Sequence, residues 1–104
     1  MTATNAVKRV LIADPSDKSR HALALYLREK GMEVIEATDG SKALAETLLR
    51  KPDILLLDLS VPILGPDRLV QILRSNPNTK SLPGFFLGDH ERSAAFRAGF
   101  CHLL

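Results

Sequence analysis

The run Ile54-Leu55-Leu56-Leu57-Asp58 sets the tightest limit on what this chain can fold into. Four consecutive apolar residues leave no polar face, so a strand built from them must be covered on both sides. That is the condition of a central strand in a parallel sheet packed between helices. The run stops abruptly at a carboxylate, and Leu59-Ser60-Val61-Pro62 continues as a loop. Sheets of this kind hold their ligands beyond the carboxyl ends of the strands. Asp58 is therefore a candidate site residue, the plainer alternative being a strand-end acid that caps the next loop.

A second acid stands in the same relation to a strand. Val7 to Ala13 is rich in Val, Leu and Ile and stops at Asp14-Pro15. Ser16 or Asp17 then caps a helix reaching about Lys30, with Leu23, Leu27 and either Tyr26 or Ala24 turned inward and Gly31 as its left-handed stop. Glu33 to Ala37 alternates weakly and reads as a strand nearer the sheet edge, closed by a turn at Asp39-Gly40. Ser41 opens a second helix with Ala43, Leu44, Thr47 and Leu48 inward, and Pro52 shuts it off.

Past the Asp58 strand, Leu59 to Pro66 is an apolar loop, and Asp67 is placed to cap a helix carrying Leu69, Val70, Ile72 and Leu73, which Asn76-Pro77-Asn78 ends. Leu82 to Leu87 reads as a fourth strand, Glu91 to Ala98 as a short helix stopped by Gly99, and Phe100 to Leu104 as a fifth strand. Strands alternating with helices imply a parallel α/β sheet with right-handed crossovers. In its doubly wound form the first and third strands are neighbours, which would bring Asp14 and Asp58 to one end.

Composition removes several function classes. The 104 residues, 45% hydrophobic and 25% charged, suit one small globular domain, residues 7–104, behind a short flexible N-terminus, residues 1–6. Fourteen basic and twelve acidic side chains are scattered without a basic block, so no nucleic-acid partner is expected. No apolar run approaches a membrane span, and residues 1–6 have no signal-peptide pattern, so the expected setting is cytoplasmic. The single cysteine, Cys101, reads as core packing, and His21, His90 and His102 share no metal-ligand spacing. Asp53, Asp67 and Asp89 read as caps or turn residues.

Distributed over residues 7–104, the chain resembles the CheY-like receiver domain of response regulators in two-component systems. The likeness rests on Val10-Leu11-Ile12-Ala13-Asp14 with Arg20, on Gly31 and Val34, on Asp39-Gly40 with Ala43-Leu44, and on Pro52-Asp53. It continues through Leu57-Asp58-Leu59 with Pro62, Leu82-Pro83 and Ala98-Gly99. The resemblance implies a flavodoxin-like fold with strand order 2-1-3-4-5, with Asp58 at the position that accepts a phosphoryl group from a histidine kinase. It also implies Mg²⁺ held by Asp14, Asp58 and the backbone carbonyl of Ser60, since an anionic carboxylate otherwise repels an anionic phosphate.

This sequence departs from that pattern where the chemistry and the output lie. Pro15 stands where a second acid is expected and has no side-chain oxygen. Asp17 is the nearby acid that could replace it. Gly88 takes the place of a hydroxyl residue and Leu103 that of an aromatic, so the usual switch is degenerate. The Gly88 to Gly99 segment is about one helical turn short, and the chain stops at Leu104 without a fifth helix. A bare sheet face is then expected, to be covered by a homodimer, a partner or a further segment.

The first expectation is therefore an atypical receiver-like signalling domain. It would act through protein contacts at Leu59 to Pro66 and Gly88 to Leu104 with a histidine kinase, phosphotransfer protein or output domain. The alternative is a working phosphoacceptor with a weakened Mg²⁺ site. An enzyme is not expected: an aspartate-nucleophile phosphatase wants a second carboxylate two residues after the first, where Ser60 stands.

Overall fold

A computed structural model describes residues 7–87 of the chain. The expected short helix and fifth strand, with Cys101 and the switch positions Gly88 and Leu103, lie outside the described residues. Within them the order is β1 (Arg9–Ala13), α1 (Asp17–Glu29), β2 (Glu33–Ala37), α2 (Gly40–Arg50), β3 (Ile54–Asp58), α3 (Pro66–Ser75) and β4 (Gly84–Leu87). The strands form one parallel sheet in the order β2-β1-β3-β4. This is the doubly wound arrangement expected from the alternation of elements, with β2 at the sheet edge.

Strand alternation divides the core in two. Leu11, Ala13, Ile35, Ala37, Leu55, Leu57 and Phe86 point to one face, where Ala43 of α2 and Leu69, Val70 and Leu73 of α3 seal them. Val10, Ile12 and Val34 point to the other, against Ala24, Leu23 and Leu27 of α1. β3 carries apolar side chains to both faces, which is why its sequence has no polar alternation. β4 begins two residues later than expected. Leu82 donates its N–H to Thr79 in a turn, and Pro83 contributes only its carbonyl, which accepts from the Leu55 N–H at 3.0 Å.

The helix ends follow local chemistry with three corrections. Ser16 caps α1, and Gly31 at φ 91° provides the left-handed stop. Ala24 is buried, whereas Tyr26 is 55% exposed and lies under the Lys30 ammonium, 5.2 Å from its ring centre. Asp39 and Gly40 are not a turn: Asp39 Oδ1 accepts the Lys42 N–H at 2.7 Å, making it the cap of α2, and Gly40 is the first helical residue. Leu48 is 45% exposed rather than inward, because Ala43 and Thr47 already hold the sheet side of α2. Asp67 does not cap α3: Gly65 is its N-cap and Pro66 its first residue, a position where the missing N–H costs no hydrogen bond.

Candidate functional site

Register places the two strand-end acids side by side. Ala13 pairs with Leu57 between β1 and β3, so Asp14 and Asp58 are the next residues on adjacent strands, whose backbones run about 5 Å apart. Both leave the carboxyl edge of the sheet together. Asp14 is buried at 4% exposure, and Asp58 is half-buried.

Each carboxylate is held by nearby serines. Asp14 Oδ1 accepts the Ser16 N–H at 2.9 Å, and Oδ2 accepts the Ser19 hydroxyl at 2.9 Å. Its backbone N–H donates to Ala37 at 3.0 Å, extending the β1–β2 ladder by one step. Asp58 Oδ1 takes both donors of Ser60, the N–H at 2.8 Å and the hydroxyl. Asp58 Oδ2 receives no hydrogen bond among the described residues.

Asp17 is not brought to this pair. Its carboxylate lies 2.7 Å from the Arg20 Nη2 and is otherwise solvent-exposed, and this hydrogen bond holds it below the usual carboxylate range. Pro15 is partly buried between Asp14 and the Ser16 cap.

Beside the pair lies an ionic cluster that the sequence did not reveal. The buried Arg20 guanidinium donates Nη1 to the Asp14 backbone carbonyl at 2.9 Å and Nε to Glu36 of β2 at 3.0 Å. Glu36 also pairs with His21 at 2.8 Å and Arg28 at 3.3 Å. Burial opposes ionisation of Glu36, but the hydrogen bonds from Arg20 and His21 outweigh it and leave the carboxyl below its ordinary range. The cluster joins the first turn of α1 to β2 and fixes the backbone carbonyl at Asp14. The sequence signal was slight, an arginine on the inward side of a helix.

The opposite rim of the sheet is closed by other ions. Asp53 Oδ2 accepts the N–H groups of Lys8 and Arg9, each at 2.9 Å, which lowers its pKa. Glu33 bridges Arg9 and Arg50, at 3.1 and 3.0 Å. This agrees with the reading of Asp53 as a structural acid.

The loop after β3 is pinned from α2. Gly40 donates its N–H to the Pro62 carbonyl at 3.1 Å, and a Cβ on Gly40 would lie 1.7 Å from the Leu64 carbonyl oxygen. Val61 is buried, and between these anchors Ile63 is 81% exposed at φ 70°, a conformation that is strained for a β-branched residue.

Asp14 and Asp58 present a set of carboxylate oxygens at one edge of the sheet. Such a set fits Mg²⁺, which is commonly held by one or two carboxylates while keeping several waters. No cluster of three or more acidic, histidine or cysteine side chains is found among the described residues. Nor is any helix there long and apolar enough to cross a membrane.

Comparison with known proteins agrees with this fold. The family model described as "Response regulator receiver domain" matches residues 10–100. The chemotaxis protein CheY of Thermotoga maritima is 37% identical over 75 residues, which are 70% of this chain and 62% of that protein; a longer relative is matched over only 11% of its length. Among solved structures, a response regulator from Chloroflexus aurantiacus superposes with a TM-score of 0.84 at 33% identity, covering 95% of this chain and 84% of the other. The receiver domain of the sensor histidine kinase PA1611 from Pseudomonas aeruginosa, at 19% identity, gives the same TM-score over 95% and 84% of the two chains. In that structure a magnesium ion is coordinated in the active site cleft.

Proposed function

The chain belongs to the response regulator receiver domain family of two-component signalling, and from that premise we propose that residues 7–104 form a phosphoacceptor module charged on Asp58 by a histidine kinase or phosphotransfer protein. The observation that carries this reading is the juxtaposition of a half-buried Asp58 with Asp14 at the carboxyl edge of β3 and β1. In the transfer, an Asp58 carboxylate oxygen attacks phosphorus. A P–O bond forms, the P–N bond to the donor histidine breaks, and the departing imidazole nitrogen keeps the electron pair.

Asp14, Asp58 and the Ser60 carbonyl would hold Mg²⁺, whose bound charge supplies neutralisation between carboxylate and phosphate. The site is lean. Pro15 gives no side-chain oxygen, and Asp17 is turned to Arg20. This leanness favours a second reading, an atypical receiver signalling mainly through protein contacts independent of phosphorylation.

Intact mass after incubation with Mg²⁺ and acetyl phosphate separates the two. The expected result is a single phosphoryl adduct that disappears in Asp58→Asn. A folded wild type that gains no adduct would leave the protein-contact reading in its place.

A further inference from the structure

We propose that Ser19 is a positioning residue for the cation site, restraining the Asp14 carboxylate through its hydroxyl. The proposal rests on the reading of Asp14 and Asp58 as a cation-binding pair. With Pro15 after it, Asp14 has no acidic neighbour, and its own carboxylate must supply an ordered ligand from a single side chain.

Two donors from the next turn of chain order it. The Ser16 N–H fixes Oδ1 and the Ser19 hydroxyl fixes Oδ2, both at 2.9 Å. The Ser16 bond is made by the backbone N–H and does not depend on the serine side chain. The Ser19 bond belongs to a side chain, one helical turn into α1, whose own backbone N–H is anchored by the Ser16 hydroxyl at 3.3 Å.

The serine also differs from a merely structural cap. The first turn of α1 already has its cap in Ser16, and the Arg20 N–H is satisfied by the Ser16 carbonyl at 2.9 Å. What the Ser19 hydroxyl adds is restraint on one carboxylate torsion. Groups hydrogen-bonded to a ligating carboxylate set its orientation, and their loss commonly weakens metal affinity about 10- to 100-fold. Carboxylate oxygens have lone pairs enough to accept a hydroxyl and still face a cation.

The test is direct titration of the full chain with Mn²⁺, following the loss of the free-ion electron paramagnetic resonance signal, in wild type, Ser19→Ala and Ser19→Thr. Ser19→Ala is expected to weaken binding at least about tenfold, with Ser19→Thr within about twofold of wild type because it keeps the hydroxyl. Equal affinity in all three proteins would overturn the proposal, as would tighter binding in Ser19→Ala, since the hydroxyl would then be a competitor of the ion. A wild type that binds no Mn²⁺ also sinks it.

Adduct formation on Asp58 is scored separately, so the two readings fail separately. An adduct with a Ser19-independent affinity defeats only the positioning role. A Ser19-dependent affinity with no adduct defeats only the phosphoacceptor role.

Discussion

Gly40→Ala is expected to destabilise the fold by about 2–4 kcal/mol, read as a lower urea midpoint with an unchanged slope. The added Cβ would sit 1.7 Å from the Leu64 carbonyl oxygen and 2.7 Å from its carbon. These are backbone atoms, not the yielding end of a side chain. Either the first turn of α2 or the loop after β3 must move, and the Gly40 to Pro62 hydrogen bond at 3.1 Å goes with it. Helix propensity pulls the other way, since alanine is favoured over glycine by about 1 kcal/mol in a helix interior. The sign therefore decides the matter: a more stable variant would mean that the loop withdraws freely.

Arg20→Ala should cost about 2–4 kcal/mol, because it removes a buried cation and strands the acceptors it served. Those are the Asp14 carbonyl and the Glu36 carboxylate, at 2.9 and 3.0 Å. The exposed Asp17 adds little to the sum. The change also predicts a pH signature. Glu36 ionises below its unfolded value of 4.5 in the folded chain. Its stabilisation is thus fully present above that value and lost as pH falls through the lower folded pKa. Without Arg20 less of that stabilisation exists to lose. The stability gap between wild type and variant should narrow as pH falls from neutral through 4.5 and below, and a gap that stays constant would detach Glu36 from the effect.

Much of this architecture was legible in the chain. β3 was located to the residue because an apolar run with no polar face has one solution in an α/β fold, and α1 because its cap, stripe and glycine stop agree. The side chains that finish the site were harder to read. Ser19 reaches Asp14 across the turn that opens α1, and no spacing rule marks a serine five residues after an acid. Arg20 falls on the inward side of α1, but its partner is evident only once β2 places Glu36 beside it. Asp17 is near Asp14 in sequence and is an acid that could stand in for the missing one, but in the fold its carboxylate pairs with Arg20 at 2.7 Å. Asp39-Gly40 reads as a turn because the pair favours turns, whereas here the acid caps a helix and the missing Cβ admits another segment.

The pinning of the loop after Asp58 has a mechanical consequence. Pro62 and Leu64 bear on Gly40 while Val61 is buried, so the segment resembles a short strut fastened at both ends, with Ile63 protruding between them. A strut passes on a displacement that a slack tether would absorb. A displacement at the end of β3 would therefore reach the first turn of α2, where the Gly40 amide bonds the Pro62 carbonyl.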